Sequence, residues 1–548
     1  MATTTLTRRT ATVAAPVARF TGTGHLVRLA LRRDRVLVPI WLGVFVMSAA
    51  GSAGATVGLY PTEASRVSVA ATINGNPSFA ALYGPILDPT SMGQVSLFKM
   101  SAMGAALVGL LAVFLVARHT RAEEETGRTE LLGAGVVGRW APLSAALIVV
   151  AGALVVLALL TAAGLVGAGL DAVGSLSFGL SWLVTGLAFT GIAAVAAQVA
   201  STSRGTKGLA AGVLGLAYLV RAVADGSPNG DLVGLRWLSP VGWSQEVHAF
   251  SNPRWMVVGL AVVFAAAMVA LAYALVDRRD LGAGLLPDRA GTATAPRNLS
   301  GPFGLVARLN RGFLVGWALG AALLSMVMGG LVANIGGFVD ENSRPFFEAL
   351  GGQQGLEDAF MAAEWSLIGV FFAAFAVATL LRLRGEESAG RAEGLLASPL
   401  TRWGWASAHL TAALGGAVAL LVVAGVFGAF STARATGDDA WWGKVAGAAG
   451  VQFPAIAVLA GLTLVAIAFI PRWAVGVSWG LFTAFFLLGE IGPLLELPTW
   501  MLDLSPFAHT PKVPGEVVSA AQLGGLVAVA VALVAIGLVG YRRRDLEA

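Results

Sequence analysis

Apolar runs of about twenty residues recur from Val36 to Tyr541, each closed by a short polar segment. A bilayer core of about 30 Å takes roughly 20 apolar residues per helix. Inside it, backbone N–H and C=O groups must pair within the segment, which a helix achieves and an open strand does not. The runs therefore restrict the chain to a bundle of spanning helices. Composition agrees: 56% of residues are hydrophobic and 12% charged, where soluble chains are roughly 45–50% apolar and about 25% charged. Length alone would suggest several soluble domains, and hydropathy overrides it.

The first six expected spans cover 36 to 59, 98 to 117, 141 to 170, 177 to 200, 208 to 223 and 255 to 276. The remaining six cover 313 to 337, 363 to 381, 405 to 430, 445 to 470, 474 to 492 and 521 to 540. Residues 1 to 35 are read as a basic cytoplasmic arm, since Arg8, Arg9 and Arg19 precede any apolar stretch. With this arm inside, 27 of the 36 lysines and arginines fall in segments placed in the cytoplasm, as the positive-inside rule requires. The expected fold is an all-α integral membrane bundle of about twelve helices, with both termini inside.

Several function classes are excluded or weakened. The chain has no cysteine, which removes disulfides, thiolate catalysis and cysteine-based metal sites. Its five histidines form no HExxH and no close pair, so no metal site is expected. The net charge of +5 belongs to membrane orientation, and no nucleic-acid partner is expected. Few carboxylates fall within the spans; Asp225, Glu364 and Glu490 lie near outer ends, where charge costs less. No GxxxxGK[S/T] phosphate loop occurs: SRGTKG (203 to 208) has the wrong spacing, and ALGGQQ (349 to 354) stands on the expected outer face. The chain is expected to bind no cofactor and to be no enzyme in its own right.

An internal repeat organises the spans. RAEEETGRTELLGAGVVGRW (121 to 140) and RGEESAGRAEGLLASPLTRW (384 to 403) agree at 10 of 20 positions without a gap. PSFAALYG (77 to 84) matches PFFEALGG (345 to 352), LSP occurs at 238 to 240 and 504 to 506, and DRRDL (277 to 281) matches RRRDL (542 to 546). Each six-span half starts and ends inside, so the halves, 36 to 276 and 313 to 548, are expected to be parallel repeats. A cytoplasmic linker at 277 to 312 joins them.

The repeated loop is the most specific feature. Glu123, Glu124, Gly127, Arg128 and Glu130 correspond to Glu386, Glu387, Gly390, Arg391 and Glu393, and both copies continue into leucines, Leu131 or Leu395. This pattern suits a short helix along the inner interface with its charged side toward a cytoplasmic partner. The string E-E-x(2)-G-R-x-E-x-L-L, followed by a small residue and R-W, resembles the cytoplasmic loop of ABC type-2 exporter permeases. The fused chain is similar to the actinobacterial branch of polyketide-antibiotic (tetronasin-like) and multidrug exporters. That resemblance implies a coupling helix in each half, seated on a separate ATPase. One chain would then engage two copies of an ATPase that binds ATP and Mg.

Two outer segments, RWLSPVGWSQEVHAF (236 to 250) and MLDLSPFAHTPKV (501 to 513), combine Trp, Pro and polar pairs. The resemblance implies re-entrant hairpins forming an outer gate, with Pro240, Trp243, Glu246, Ser505, Pro506 and His509; the residues alone equally allow simple outer loops with interfacial aromatics. Glu246 with His248, and Asp503 with His509, are read as structural contacts. The segments 60 to 97 and 338 to 362 are expected to be partly helical outer caps, with Phe79, Leu82 and Tyr83 packed on helix ends.

The expected function is ATP-driven export of hydrophobic or amphipathic compounds, along a pathway between the halves. An ion-coupled secondary carrier is the alternative, and a polytopic membrane enzyme a third reading. The first needs an ATPase partner, the second buried carboxylates, and the third convergent polar groups at one interface.

Overall fold

The computed structural model of the chain describes residues 18–75, 77–133, 135–227, 231–280, 282–286, 293–294, 299, 301–332, 356–491 and 498–545. Residues 1–17 of the arm, much of the expected linker, and the PFFEALGG and ALGGQQ stretches lie outside the described residues. Helices and turns make up the described residues, with no strand among them. The chain divides into two compact units, Met1–Ala290 and Gly291–Ala548.

In the first unit the helices are α1 Thr23–Arg33, α2 Leu37–Leu59, α3 Glu63–Asn74, α4 Pro77–Tyr83, α5 Met92–His119, α6 Arg121–Glu125, α7 Arg128–Gly133, α8 Ala141–Gly167, α9 Ala172–Val199, α10 Ser203–Asp225, α11 Gly242–Glu246 and α12 Met256–Val276. Helix α9 is central, packing on α5, α8 and α12, while α2 packs on α8. Close approach has a local cause at Gly179, where a Cβ would sit 2.2 Å from the Ala158 carbonyl oxygen. The buried Trp182 fastens α9 to α5 by donating its indole N–H to the Met100 carbonyl at 3.0 Å. Short polar side chains start the helices by accepting otherwise unpaired N–H groups: Ser91 at α5, Asp171 at α9 and Thr202 at α10.

The second unit contains α13 Pro302–Leu331, α14 Leu356–Ser388, α15 Arg391–Leu396, α16 Arg402–Thr436, α17 Trp441–Gly450, α18 Phe453–Phe469, α19 Ala474–Phe486, α20 Thr499–Leu502 and α21 Ala520–Arg543. Here α18 is central, against α14 and α21, while α13 packs on α16. The expected span at 445 to 470 is two helices, since Pro454 in the first turn of α18 has no N–H to continue the ladder from α17. The expected span at 474 to 492 is α19 followed by a π-helical turn, Leu487–Ile491.

Among the described residues, eleven helical segments are long and apolar enough to cross a membrane, and Ala474–Gly489 is a shorter apolar helix. The chain is a multi-pass, all-helical membrane protein. Some of its helices are longer than a bilayer core is thick. Helix α14 has 33 residues, or about 50 Å at 1.5 Å per residue, against a core of about 30 Å. That overrun carries Glu386 and Glu387 beyond the apolar stretch.

The segment at 60 to 97 contains α3 and α4, as expected of caps. Phe79 stacks on Tyr83 at 6.1 Å, Tyr83 meets Phe98 edge-on, and the Tyr218 hydroxyl donates to the Leu82 carbonyl. Of the second cap, only the start of α14 is described.

Candidate functional site

The two repeated loops fold alike in their turns. In the first, α6 and α7 meet at Gly127 (φ +70°); in the second, α14 and α15 meet at Gly390 (φ +69°). Left-handed backbone costs an L-residue roughly 1–2 kcal/mol, which accounts for glycine at both positions. Each turn closes by an N–H from the glycine to the carbonyl of Glu124 or Glu387, at 3.0 and 2.9 Å. The approach differs: α14 runs unbroken through its glutamates, whereas the first copy breaks at Thr120 between α5 and α6. Just before that break, Arg118 and His119 both reach the buried Asp34, at 3.0 and 2.5 Å.

Adjacent glutamates do different things. Glu123 pairs with Arg33 of α1 and with Arg128 at 3.6 Å, and Glu386 takes a two-point contact from Arg391 at 2.6 and 3.1 Å. Glu124 instead turns into the first unit. It receives Arg121 at 2.8 Å and both terminal nitrogens of Arg279 at 2.6 and 3.0 Å. Glu387 turns into the second unit, where Tyr541 donates at 2.6 Å, Arg384 lies at 3.5 Å, and Arg544 completes the contact. The expectation that the acidic pair points toward a cytoplasmic partner therefore changes for Glu124 and Glu387: a carboxylate turned into the packed bundle keeps its charge only against guanidinium partners.

The outward surface of each loop is carried by other members of the motif. Arg128 and Glu130 are exposed in the first loop, as are Arg391 and Glu393 in the second. Leu395 and Leu396 are half-buried against the core of their own unit, giving α15 one apolar and one charged side. The side chain of Leu131 lies outside the described residues.

The two segments expected on the outer side, here called hairpins, each contain short helical turns. Residues Val233–Leu238 form a 3-10 turn that leads through Ser239 and Pro240 into α11, packed on α9 and α5. The Ser239 hydroxyl donates to the Ala217 carbonyl of α10 at 2.6 Å, and the Ser505 hydroxyl donates to the Phe485 carbonyl of α19 at 3.0 Å. Thr185 donates to the Pro240 carbonyl, and the buried Trp243 donates to the Trp237 carbonyl at 2.7 Å. In the second hairpin Pro506 is buried and His509 exposed, its ring 2.8 Å from the Asp503 carbonyl rather than the carboxylate.

Ionic contacts fill the first hairpin. Asp225 binds Arg221 at 2.8 Å and Arg236, while Glu246 binds Arg254 at 2.9 Å and lies 3.7 Å from both Arg236 and His248. Burial, and then Arg254, hold the His248 ring below the usual imidazole range despite Glu246. Each carboxylate of this group is paired with arginine, which is the geometry of a brace. Among the described residues, no cluster of His, Asp and Glu has the arrangement of a metal site.

Comparison with known proteins identifies the family. A family model described as the multidrug efflux system permease Rv1217c, C-terminal domain, matches residues 299–542. Over 534 residues the chain is 40% identical to the multidrug efflux system permease protein Rv1217c of Mycobacterium tuberculosis (strain ATCC 25618 / H37Rv), covering 96% of each chain. This chain belongs to that permease family. The resemblance to ABC-type exporter permeases, carried by the two loops, is borne out.

Sequence reading of the permease missed the partners of the inward glutamates: Arg121 and Arg279 in the first unit, Arg384, Tyr541 and Arg544 in the second. A signal for them existed. Arg121 and Arg384 open the repeated loop, and Arg279 and Arg544 hold the same place in DRRDL and RRRDL. Chain separations of 155 and 157 residues within the pairs concealed the contacts.

Proposed function

We propose that this permease is the membrane subunit of an ATP-driven exporter of small hydrophobic or amphipathic compounds, and that two copies of a separate ATPase dock on its two loops. ATP and Mg bind in that partner. The permease halves, 36–276 and 313–548, form two parallel six-helix repeats, preceded by the arm 1–35, joined by the cytoplasmic linker 277–312, and with both termini inside. Recurrent packing supports this layout: the third span on the first, and the fourth on the second and sixth, in each unit. The outer hairpins act as the gate on the far side.

One observation carries the coupling assignment. Each loop hangs from its unit by an inward glutamate while a short charged surface, Arg128 and Glu130 or Arg391 and Glu393, stays exposed. A charged, complementary rim of this kind selects partners and orients them. The test is pull-down of the tagged permease from its native membrane, with assay of bound ATPase, for the wild type and for Glu130→Lys with Glu393→Lys. Co-purification lost in the double variant supports the reading; drug transport by a permease that brings down no ATPase overturns it.

Ion coupling has one observation in its favour. Glu364 is buried on α14, with one carboxylate oxygen that has no hydrogen-bond partner, and ionisable groups inside a bundle mark ion pathways. Collapsing the proton gradient in ATP-loaded vesicles discriminates the two: transport that stops requires the gradient, and transport that continues requires only ATP.

A further inference from the structure

Each unit ends its sixth span in an arginine motif, DRRDL just after α12 and RRRDL across the end of α21, and of the arginines in each only the third residue of the motif turns inward. Arg278, Arg542 and Arg543 are exposed, whereas Arg279 and Arg544 are half-buried and reach the inward glutamate of the loop after the second span. The head of that loop is fixed at the same time to the end of the fourth span. Arg121 donates to the Ala197 carbonyl of α9 and Arg384 to the Pro471 carbonyl just beyond α18, at 3.1 Å for the latter. Arg279 adds a 2.7 Å contact to the Gln198 side-chain oxygen. Two units with different hairpins and different loop approaches therefore share one clamp: Arg121, Glu124 and Arg279, and Arg384, Glu387 and Arg544.

We propose that Arg279 and Arg544 are positioning residues that lock each coupling loop to its own sixth span, so that displacement of the loop by the ATPase is delivered to that span. The proposal rests on the coupling reading above. Its physical basis is that a carboxylate pulled from two guanidiniums, where the paired side chains are at most 15% exposed, leaves uncompensated charge, so loop and span move together rather than apart. The clamps are not identical. The first has a two-point Arg279 contact, which a lysine cannot reproduce; the second has the Tyr541 hydroxyl as an extra donor where the first has Val276.

The test uses the full chain with its co-purified ATPase in proteoliposomes, with rhodamine 6G as the transported probe, and reads dye moved per ATP hydrolysed. Arg279→Ala and Arg544→Ala are expected to keep ATPase binding and hydrolysis while the ratio falls about fivefold or more. Arg544→Lys is expected to recover most of the ratio and Arg279→Lys less; Arg278→Ala and Arg543→Ala leave it unchanged. An unchanged ratio in both alanine variants overturns the proposal, as does a parallel loss of hydrolysis and transport. Tyr541→Phe removes one hydrogen bond and no charge. Should an alanine variant fail to reach the membrane, a reduced ratio in Tyr541→Phe supports the clamp and an unchanged one overturns it. A wild type that moves dye without any bound ATPase removes the coupling reading and the clamp with it, whereas bound ATPase with indifferent variants removes only the clamp.

Discussion

Replacing Asp225 by Asn tests the electrostatic account of the first hairpin most directly. The carboxylate is fully buried, and so is Arg221, whose guanidinium also donates to the Ala81 carbonyl at 2.6 Å and the Leu82 carbonyl at 3.2 Å. Within this group Arg221, Arg236 and Arg254 face Asp225 and Glu246. Neutralising Asp225 leaves three cations against one carboxylate, whereas Arg221→Met leaves two against two. Removing one partner of a buried pair costs about 3–5 kcal/mol, and Asn retains one acceptor oxygen, so about 3 kcal/mol is expected for Asp225→Asn. Arg221→Met, which takes the donor from the Ala81 carbonyl, leaves Tyr218 on the Leu82 carbonyl and makes the charges equal, should cost about 1–2 kcal/mol. For a cooperative unit of this size, the Asp225→Asn cost lowers the unfolding temperature by roughly 6–12 °C. The assay is thermal unfolding of the detergent-solubilised chain, followed by labelling of a single cysteine introduced at the buried Ala188 of α9, since the chain has no other cysteine. A shift below about 2 °C for Asp225→Asn, or a larger loss for Arg221→Met, refutes the charge-balance argument.

Two further outcomes follow from local structure. Because the folded protein holds the His248 pKa below its unfolded value of about 6.5, its neutral form supports the hairpin above that pH, and the support is lost as pH falls through the folded pKa. His248→Gln should therefore flatten the loss of thermal stability between pH 7.5 and pH 5; an unchanged slope assigns the acid sensitivity elsewhere. Gly174→Ala on α9 puts a Cβ 2.1 Å from the Phe250 ring, beside a loop in which His248, Phe250 and Asn252 all have positive φ. Overpacking of that kind costs about 1–3 kcal/mol, to be read as faster labelling of a cysteine introduced at Ala249, and Phe250→Leu in the same chain should restore part of it.

How far the sequence reached is clearest where neighbouring residues part company. Apolar runs determined the membrane class and, among the described residues, where the long apolar helices lie, because a bilayer enforces helix on any such run whatever its neighbours are. Local chemistry also determined the turns at Gly127 and Gly390 and the helix starts at Ser91, Asp171 and Thr202. Recurrence in one dimension identified the loops as the likeness to exporter permeases.

Tertiary structure alone decided the orientation within those loops. Glu123 and Glu124 are equivalent as letters, yet successive residues of a helix differ by about 100° in direction. One faces Arg33 and Arg128, and the other faces an arginine 155 residues away. The same holds for the hairpins, where Ser239 and Ser505 recur in sequence but the residues of the first unit's ionic brace do not: at positions aligned by LSP, Asp225, Arg236 and Glu246 become Ile491, Leu502 and Lys512. Hydropathy specifies which segments leave water. Which charges accompany them, and against what, depends on distances that exist only once the helices have packed.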